Sequence, residues 1–468
     1  MSSTTETLDA PPDQERGEVP QKTERGEVVL DASEDPTEWS TAKKWLAVGV
    51  IASGSFCVTC ASTMASFTEK GMAEEFGVAH EVTILSISLF VLGLGLGPLI
   101  TGPFSEVYGR SIIYRVSYIL LVLLAFPIVF APNIAVLLVF RFLQGMAGAS
   151  FLSVAGGSVA DMFAGPKVAT PMAVYTMSPF LGPVFGPSIA SFMNQNLDWR
   201  WTYRVSLIWM FVETLAMFLF VPESYAPVLI KRKAARLRKE TGDDNYWAPL
   251  EKSDVSMRYR LYLSCTVPFK LLLFDRMALL LDTWTSILLG ILYLFFQAFP
   301  IIFQEGHHFK TGVTGLTRTG TKRVARIAAA NGGKAPPEEL LVMGMAGGVI
   351  VPIALYIFAF TTYPHVHWIA PEIASVPFGI GVFYSFTTTF TYLVVAYRPI
   401  AASAMAANSA LRSTFAAAFP LFAKAMYDKL GTVGATALLA GLTTLIAPLP
   451  FIFYRIGAKL RAESRFAV

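Results

Sequence analysis

Arg141, Glu213, Asp161 and Arg412 are charged side chains that stand within, or at the edge of, long apolar runs. Placing an Arg or Asp at the centre of a bilayer costs about 2.5–3.5 kcal/mol on insertion scales, so an ionisable residue at that depth is a functional candidate by default. Proton transfer, attraction of a cation and hydrogen bonding between helices are all within its chemistry. Arg141 lies about eight residues from the polar end of its run at Asn133. That is roughly 12 Å deep in a core about 30 Å thick, from which snorkelling is hard. Glu213 lies near the middle of its run, where it could carry a proton, meet a cationic substrate or hydrogen-bond to a neighbour. Asp161 closes the run that holds Arg141 and can pair with Arg110, which favours a structural gating role. Asp282, near the start of a later run, reads as an interfacial residue.

Other chemistry is missing from the pattern. The chain has no HExxH, P-loop, GxSxG or Cys/His cluster, so it carries no enzyme signature and no metal site is expected. Three cysteines give no disulfide framework, and Cys57 and Cys60 form a CxxC inside an apolar helix, where they read as small packing residues.

The elements that must position these residues follow from composition. Of 468 residues 54% are hydrophobic and only 15% charged, with a mean hydropathy of +0.53. Soluble domains are nearer a quarter charged, so the chain reads as an all-α multi-spanning membrane protein. Runs long enough to span lie at roughly 46–66, 82–101, 112–131, 134–160, 169–193, 203–221, 278–303, 341–362, 366–396, 400–425 and 432–454, eleven in all. The net charge of +4 is small, and the cations gather at the ends of the runs, as topology signals do, with no nucleic-acid surface implied.

This gives five regions. Residues 1–40 are polar and acidic, with "ERGEV" occurring twice, and read as a disordered cytoplasmic tail without the pattern of a secretory signal. Residues 41–221 form a first half of six helices, 222–277 a cytoplasmic linker, 278–455 a second half with five apolar spans and a gap near 304–340, and 456–468 a basic cytoplasmic tail.

Charge fixes the orientation. Lys43, Lys44, Arg110, Arg115, Lys167 and the cluster at 231–239 all fall on one side of the first six spans, which is then cytoplasmic and holds the N-terminus. Lys70 and Arg200 are exceptions on the other side. Eleven crossings would leave Arg398 and the tail cations Arg455, Lys459, Arg461 and Arg465 outside, so the charge pattern asks for a twelfth crossing between 303 and 341. The tract there cannot supply it. Residues 312–330 hold Arg318, Lys322, Arg323 and Arg326, costing on the order of 10 kcal/mol in total, which Ala, Val and Ile do not offset. The tract reads as a helix approach joined directly to a helix exit, with roughly 20–25 residues absent between them.

Three motifs carry mechanism. "GPFSEVYGR" (residues 102–110) resembles the loop signature of the major facilitator superfamily, with Gly102, Glu106, Gly109 and Arg110 matching and Ser111 in place of the usual last cation. Gly109 permits a tight turn, and Glu106 and Arg110 can bridge neighbouring helix ends and close the cytoplasmic side. "RFLQGMAGAS" resembles the family's fourth-helix motif, which carries Arg141, Gln144 and Gly145; the resemblance assigns such an arginine to proton coupling, the alternative being a structural hydrogen bond between helices. "SPFLGPVFGPSI" resembles the antiporter motif of the fifth helix. Gly182 and Gly186 lie one turn apart and permit close helix approach, while Pro179, Pro183 and Pro187 keep the same spacing and bend the helix.

With the stretches at 35–45, 198–205, 222–244, 290–303 and 408–431, the chain resembles the fungal twelve-spanning drug:H⁺ antiporters over about residues 35–455, with the eighth helix apparently missing. The resemblance implies a major facilitator fold of two six-helix halves around a cavity that opens alternately to each side, the second half here lacking one helix. It implies proton-coupled export of lipophilic or cationic small molecules (drugs, fungicides, polyamines or toxic metabolites) from a plasma-membrane monomer with no cofactor. The partners implied are the lipid bilayer, the substrate and protons. Arg141, Gln144, Gly145 and Glu213 are then candidates for proton coupling. Tyr175, Trp209, Tyr293, Phe296, Gln297, Asn408 and Arg412 are candidates for the cavity wall, although most membrane aromatics are packing or belt residues. At Gln297 the family often carries Glu. The competing reading is a truncated or mis-spliced product without transport; a channel or receptor is more distant.

Overall fold

The computed structural model describes residues 27–163, 169–195, 197–251, 257–299, 341–363, 366–367, 369–397 and 401–464. The first half comprises α1 (Thr41–Phe67), α2 (His80–Tyr108), α3 (Arg110–Val129), α4 (Ile134–Met162), α5 (Ala169–Asn194) and α6 (Arg200–Phe220). The linker carries α7 (Ala226–Thr241) and α8 (Met257–Phe274). The second half comprises α9 (Arg276–Phe299), α10 (Leu341–Thr361), α11 (Ile369–Ala396), α12 (Ala401–Ile446) and α13 (Leu449–Glu463). Each apolar run is helical over nearly all its described residues, as lipid requires, because only internal backbone bonding satisfies N–H and C=O groups there. The runs at 400–425 and 432–454 are joined in α12, which turns at Gly431 (φ 69°) and is followed by α13.

Helix ends show why the boundaries fall where they do. Asn133 caps α4 by accepting the N–H of Val136 at 3.0 Å. Gly109, at φ 103°, separates α2 from α3 in a conformation that other residues avoid. Arg200, one of the two exceptions to the charge pattern, is neutralised. Its guanidinium donates to the carbonyls of Val129 and Ala131 and to Glu75 at 2.6 Å, and the bond to Glu75 holds that carboxyl below its ordinary pKa.

In the first half α1 packs on α5, α2 on α4, and α3 on α4 and α6; in the second, α9 packs on α12 and α10 on α11. α2 and α12 form the broadest contact between the halves. Of the N-terminal stretch, residues 27–40 are described, and they lie along the linker. Val28 is buried with Ala234 and Ala248, and Lys233 of α7 meets Asp31 at 2.5 Å and Glu34 at 2.8 Å.

The second half has a definite direction. Asp275, just before α9, accepts the Tyr397 hydroxyl at 2.7 Å and also bonds Ser464, beyond α13. The far ends of α11 and α13 therefore share a side with the start of α9. α10 runs antiparallel to α11, since Gly344 faces Thr388 and Gly347 faces Ser385. Leu341 thus stands at the Asp275 end, whereas Phe295, near the close of α9, packs at the other end against Phe358 and Phe378. Phe299 and Leu341 lie on opposite ends of the half. The tract at 304–340 and its expected junction lie outside the described residues.

Candidate functional site

Four groups of polar side chains bring candidate residues together. The first is at the cytoplasm-assigned ends of α2–α4. Arg110 Nε donates to Asp161 Oδ2 at 3.2 Å and Nη1 to Ser105 Oγ at 2.6 Å. Glu106 was expected to help bridge these ends, yet it makes no hydrogen bond or ion pair among the described residues. Its place is taken by Glu223, which follows α6. Glu223 Oε1 accepts the backbone N–H of Arg110 at 2.8 Å and Oε2 that of Ser111 at 3.3 Å, while Arg232 of α7 stands 3.7 Å away. The acid thus caps α3 and complements its dipole. Gly109 has to be glycine twice over, since a Cβ there would also run into the Glu223 carboxylate. No local signal in "VPESYAP" marks Glu223 for this, because the two amides it caps lie more than a hundred residues away. Gly102 faces open space.

The second group surrounds Arg141, which is 1% exposed. Its Nε donates to the carbonyl of Ser86 in α2 at 3.0 Å, and Nη2 to that of Ala61 in α1 at 3.2 Å. Nη1 reaches Gln144 Oε1 at 3.4 Å, and the guanidinium lies 4.2 Å from the centre of the Phe90 ring. Arg141 makes no ion pair among the described residues. It ties α4 to α1 and α2 while keeping its charge beside a small cavity shared with Gln144, Tyr203, Thr202 and Ser206. Gly145 brings α4 against the backbone of Phe90.

The third group is Glu213 on α6. It accepts Ser53 Oγ of α1 at 2.5 Å and Trp209 Nε1 at 3.3 Å, and no cation pairs with it among the described residues. α5 leans on α1 beside it: a Cβ at Gly182 would strike the Thr59 side chain, and one at Gly186 would strike Thr63 and the carbonyl of Cys60. Cys60 Sγ lies 3.3 Å from the Gly182 carbonyl, and both cysteines are buried and free, in line with packing. Pro179, Pro183 and Pro187 lie inside α5.

The fourth group is in the second half and differs from expectation. Asp282, expected near the membrane interface, is enclosed by protein. It is fully buried, and its Oδ1 accepts Asn408 Nδ2 at 2.9 Å; the same amide donates to Thr285 at 2.9 Å. Arg412, one turn beyond Asn408, lies over the rings of Phe390 and Phe386 at 5.1 and 5.6 Å. Tyr175 bonds back to the carbonyls of Phe151 and Leu152, and Tyr293 meets Ser62 across the halves at 3.1 Å. Phe180 of α5 packs on Phe386 of α11. The side chains of Phe296 and Gln297 lie outside the described residues.

Two helical halves meet around buried ionisable groups, the arrangement of a membrane transporter. Residues 51–420 match the family model described as "Major Facilitator Superfamily", and the chain belongs to that superfamily. It is 43% identical to "Efflux pump atB" of Aspergillus terreus, over 98% of this chain and 94% of the relative. It is 38% identical to "Probable drug/proton antiporter YHK8" of Saccharomyces cerevisiae, over 94% and 89%. Among solved structures it resembles a POT family transporter (TM-score 0.62, 14% identity, 88% of this chain and 96% of that one). A second is the proton:xylose symporter XylE (TM-score 0.58, 12% identity, 89% and 97%). At such identities these two speak for the fold alone. The protein is a multi-pass membrane protein of the lineage of fungal efflux pumps.

Proposed function

We propose that the chain is a proton-coupled exporter of lipophilic or cationic small molecules that works by alternating access. The observation that carries this reading is Glu213, a carboxylate at mid-membrane depth with two neutral donors and no cation beside it among the described residues. A buried acid without a counter-ion takes up and gives up a proton as its exposure to water changes. Arg141, held on three helices beside Gln144, supplies the fixed positive charge of the same half. The names of relatives at 43% and 38% identity, an efflux pump and a drug/proton antiporter, support export against a proton gradient.

In this reading Arg110, Asp161 and Glu223 hold the cytoplasmic side closed, and Gly182 and Gly186 keep α5 on α1. Tyr175, Trp209, Tyr293, Asn408 and Arg412 face the path of a flat cargo. The chain moves its cargo unchanged. It acts as a plasma-membrane monomer with its N-terminus in the cytoplasm and without a nucleic-acid partner. The tract at 304–340 marks the place of an absent eighth helix. The match to atB supports an absence, since it spans 485 positions, more than the 468 residues of this chain, so the relative carries residues without a counterpart here.

The test is export from vesicles containing the purified chain. An imposed proton gradient should drive a fluorescent cation out, and a protonophore should abolish the flux. Flux of equal size with the gradient collapsed would sink the reading.

A further inference from the structure

The second half holds a buried acid and, half-buried near it, a base that it does not meet. Asp282 on α9 is 0% exposed; Oδ1 takes one hydrogen bond from Asn408, and Oδ2 takes none among the described residues. Asn408 Oδ1 is likewise buried without a donor, and Arg412 Nε is buried without an acceptor. Arg412 is within electrostatic reach of Asp282, yet the two form no ion pair, and the guanidinium rests on Phe386 and Phe390 instead. A bare carboxylate in an apolar interior is expensive to bury, whereas a protonated carboxyl is not, and neither is a closed pair. The bundle therefore has two economical arrangements here. In one, Asp282 carries a proton and Arg412 stays on the aromatic rings. In the other, the proton has gone and Arg412 turns to the carboxylate.

We propose that Asp282 is a proton-carrying carboxyl of the second half and that Arg412 is the counter-ion it meets when the proton leaves. This rests on the proton-coupled reading above and adds a site in the opposite half from Glu213. In the step itself the O–H bond of Asp282 breaks, the proton passes to water that enters as the halves part, and the carboxylate left behind pairs with the Arg412 guanidinium, which stays protonated throughout. Asn408, fixed by Asp282 and Thr285, keeps the carboxyl oriented in both arrangements. Among the described residues, the other titratable groups facing this pair are Asp275 on the α9 side, Tyr293 of α9, Tyr397 at the end of α11 and Tyr175 of α5. None is a second carboxylate beside Arg412. A bulky cation is a poorer occupant than a proton, because Trp284, Phe386 and Tyr392 fill the same core.

Two measurements on the full chain in vesicles decide this. Asp282→Asn keeps the acceptor for Asn408 but cannot ionise. It should lower gradient-driven export of a fluorescent cation at least ten-fold while exchange of that cation across vesicles at equal pH persists, and Asp282→Glu should regain part of the driven flux. Driven export by Asp282→Asn at the level of the unmodified chain would overturn the proposal, and so would loss of exchange together with export. In the second measurement, a pH step should produce an infrared band of a buried protonated carboxyl that moves in Asp282→Glu. A band indifferent to that substitution would also overturn it. Absence of driven export in the unmodified chain would instead count against the exporter reading itself.

Discussion

The carboxylate of Glu223 accepts the backbone N–H of Arg110 at 2.8 Å. The residue that leaves α6 thereby caps the first turn of α3, and the Arg110 side chain is left free to hold Asp161 of α4 at 3.2 Å. Three helices are fastened at one end through a single glutamate and a single arginine.

Glu223→Ala should therefore destabilise the first half. Losing a cap to Ala costs about 0.5–2 kcal/mol, and here two amides lose their acceptor together. We expect a lower thermal midpoint for the purified protein in detergent, with Glu223→Gln, which keeps an acceptor oxygen, falling in between. Equal midpoints for all three would show that the loop is held without this contact.

Arg141→Ala should abolish gradient-driven export, at least ten-fold, while the protein still reaches the membrane. Interhelical hydrogen bonds in membranes are worth only about 0.6 kcal/mol each on average, so loss of the bonds to Ser86 and Ala61 leaves the bundle standing. Normal export by the variant would confine Arg141 to joining helices. Arg141→Lys, which restores the charge without the same fork of donors, separates charge from geometry.

Gly186→Leu should block transport. The added side chain would press on Thr63 and the Cys60 carbonyl of α1, and overpacking of that kind costs typically 1–3 kcal/mol. Gly182→Leu meets Thr59 and the Cys60 N–H and should behave alike. A fully active Gly186→Leu would mean that α5 and α1 separate during the cycle at no cost.

A cysteine at position 464 should react with an impermeant reagent only from the cytoplasmic side, because Ser464 bonds Asp275 at the end of the second half that α8 joins to α2. Labelling from outside would show that the second half inserts inverted. In the same assay, an apolar helix of family length inserted after Thr317 should raise export above that of the unmodified chain; equal export by the two would remove the case for an absent helix.

Much of the architecture was legible because lipid imposes it. A run of about twenty apolar residues has one stable solution, and Val, Leu, Ile and Phe announce it locally. The Arg110–Asp161 pairing was legible for a related reason, as both sit at helix ends on the side that the cations mark. The enclosure of Asp282 was not legible, because a position along one apolar run does not say which other helices surround it.

Sequence by itself determined the spans, their handedness of charge, the family resemblance and the candidates Arg141, Glu213, Gly182 and Gly186, since each rests on periodicity, depth or spacing within one segment. Tertiary structure decided the partners. Asn408 reaches Asp282 across 126 positions and Glu223 reaches Arg110 across 113, and nothing within either segment encodes the other. Which buried polar atom finds a partner, and which is left bare as Asp282 Oδ2 is, depends on how whole helices pack, because a hydrogen bond is made or lost over less than an ångström while hydropathy is summed over a helix.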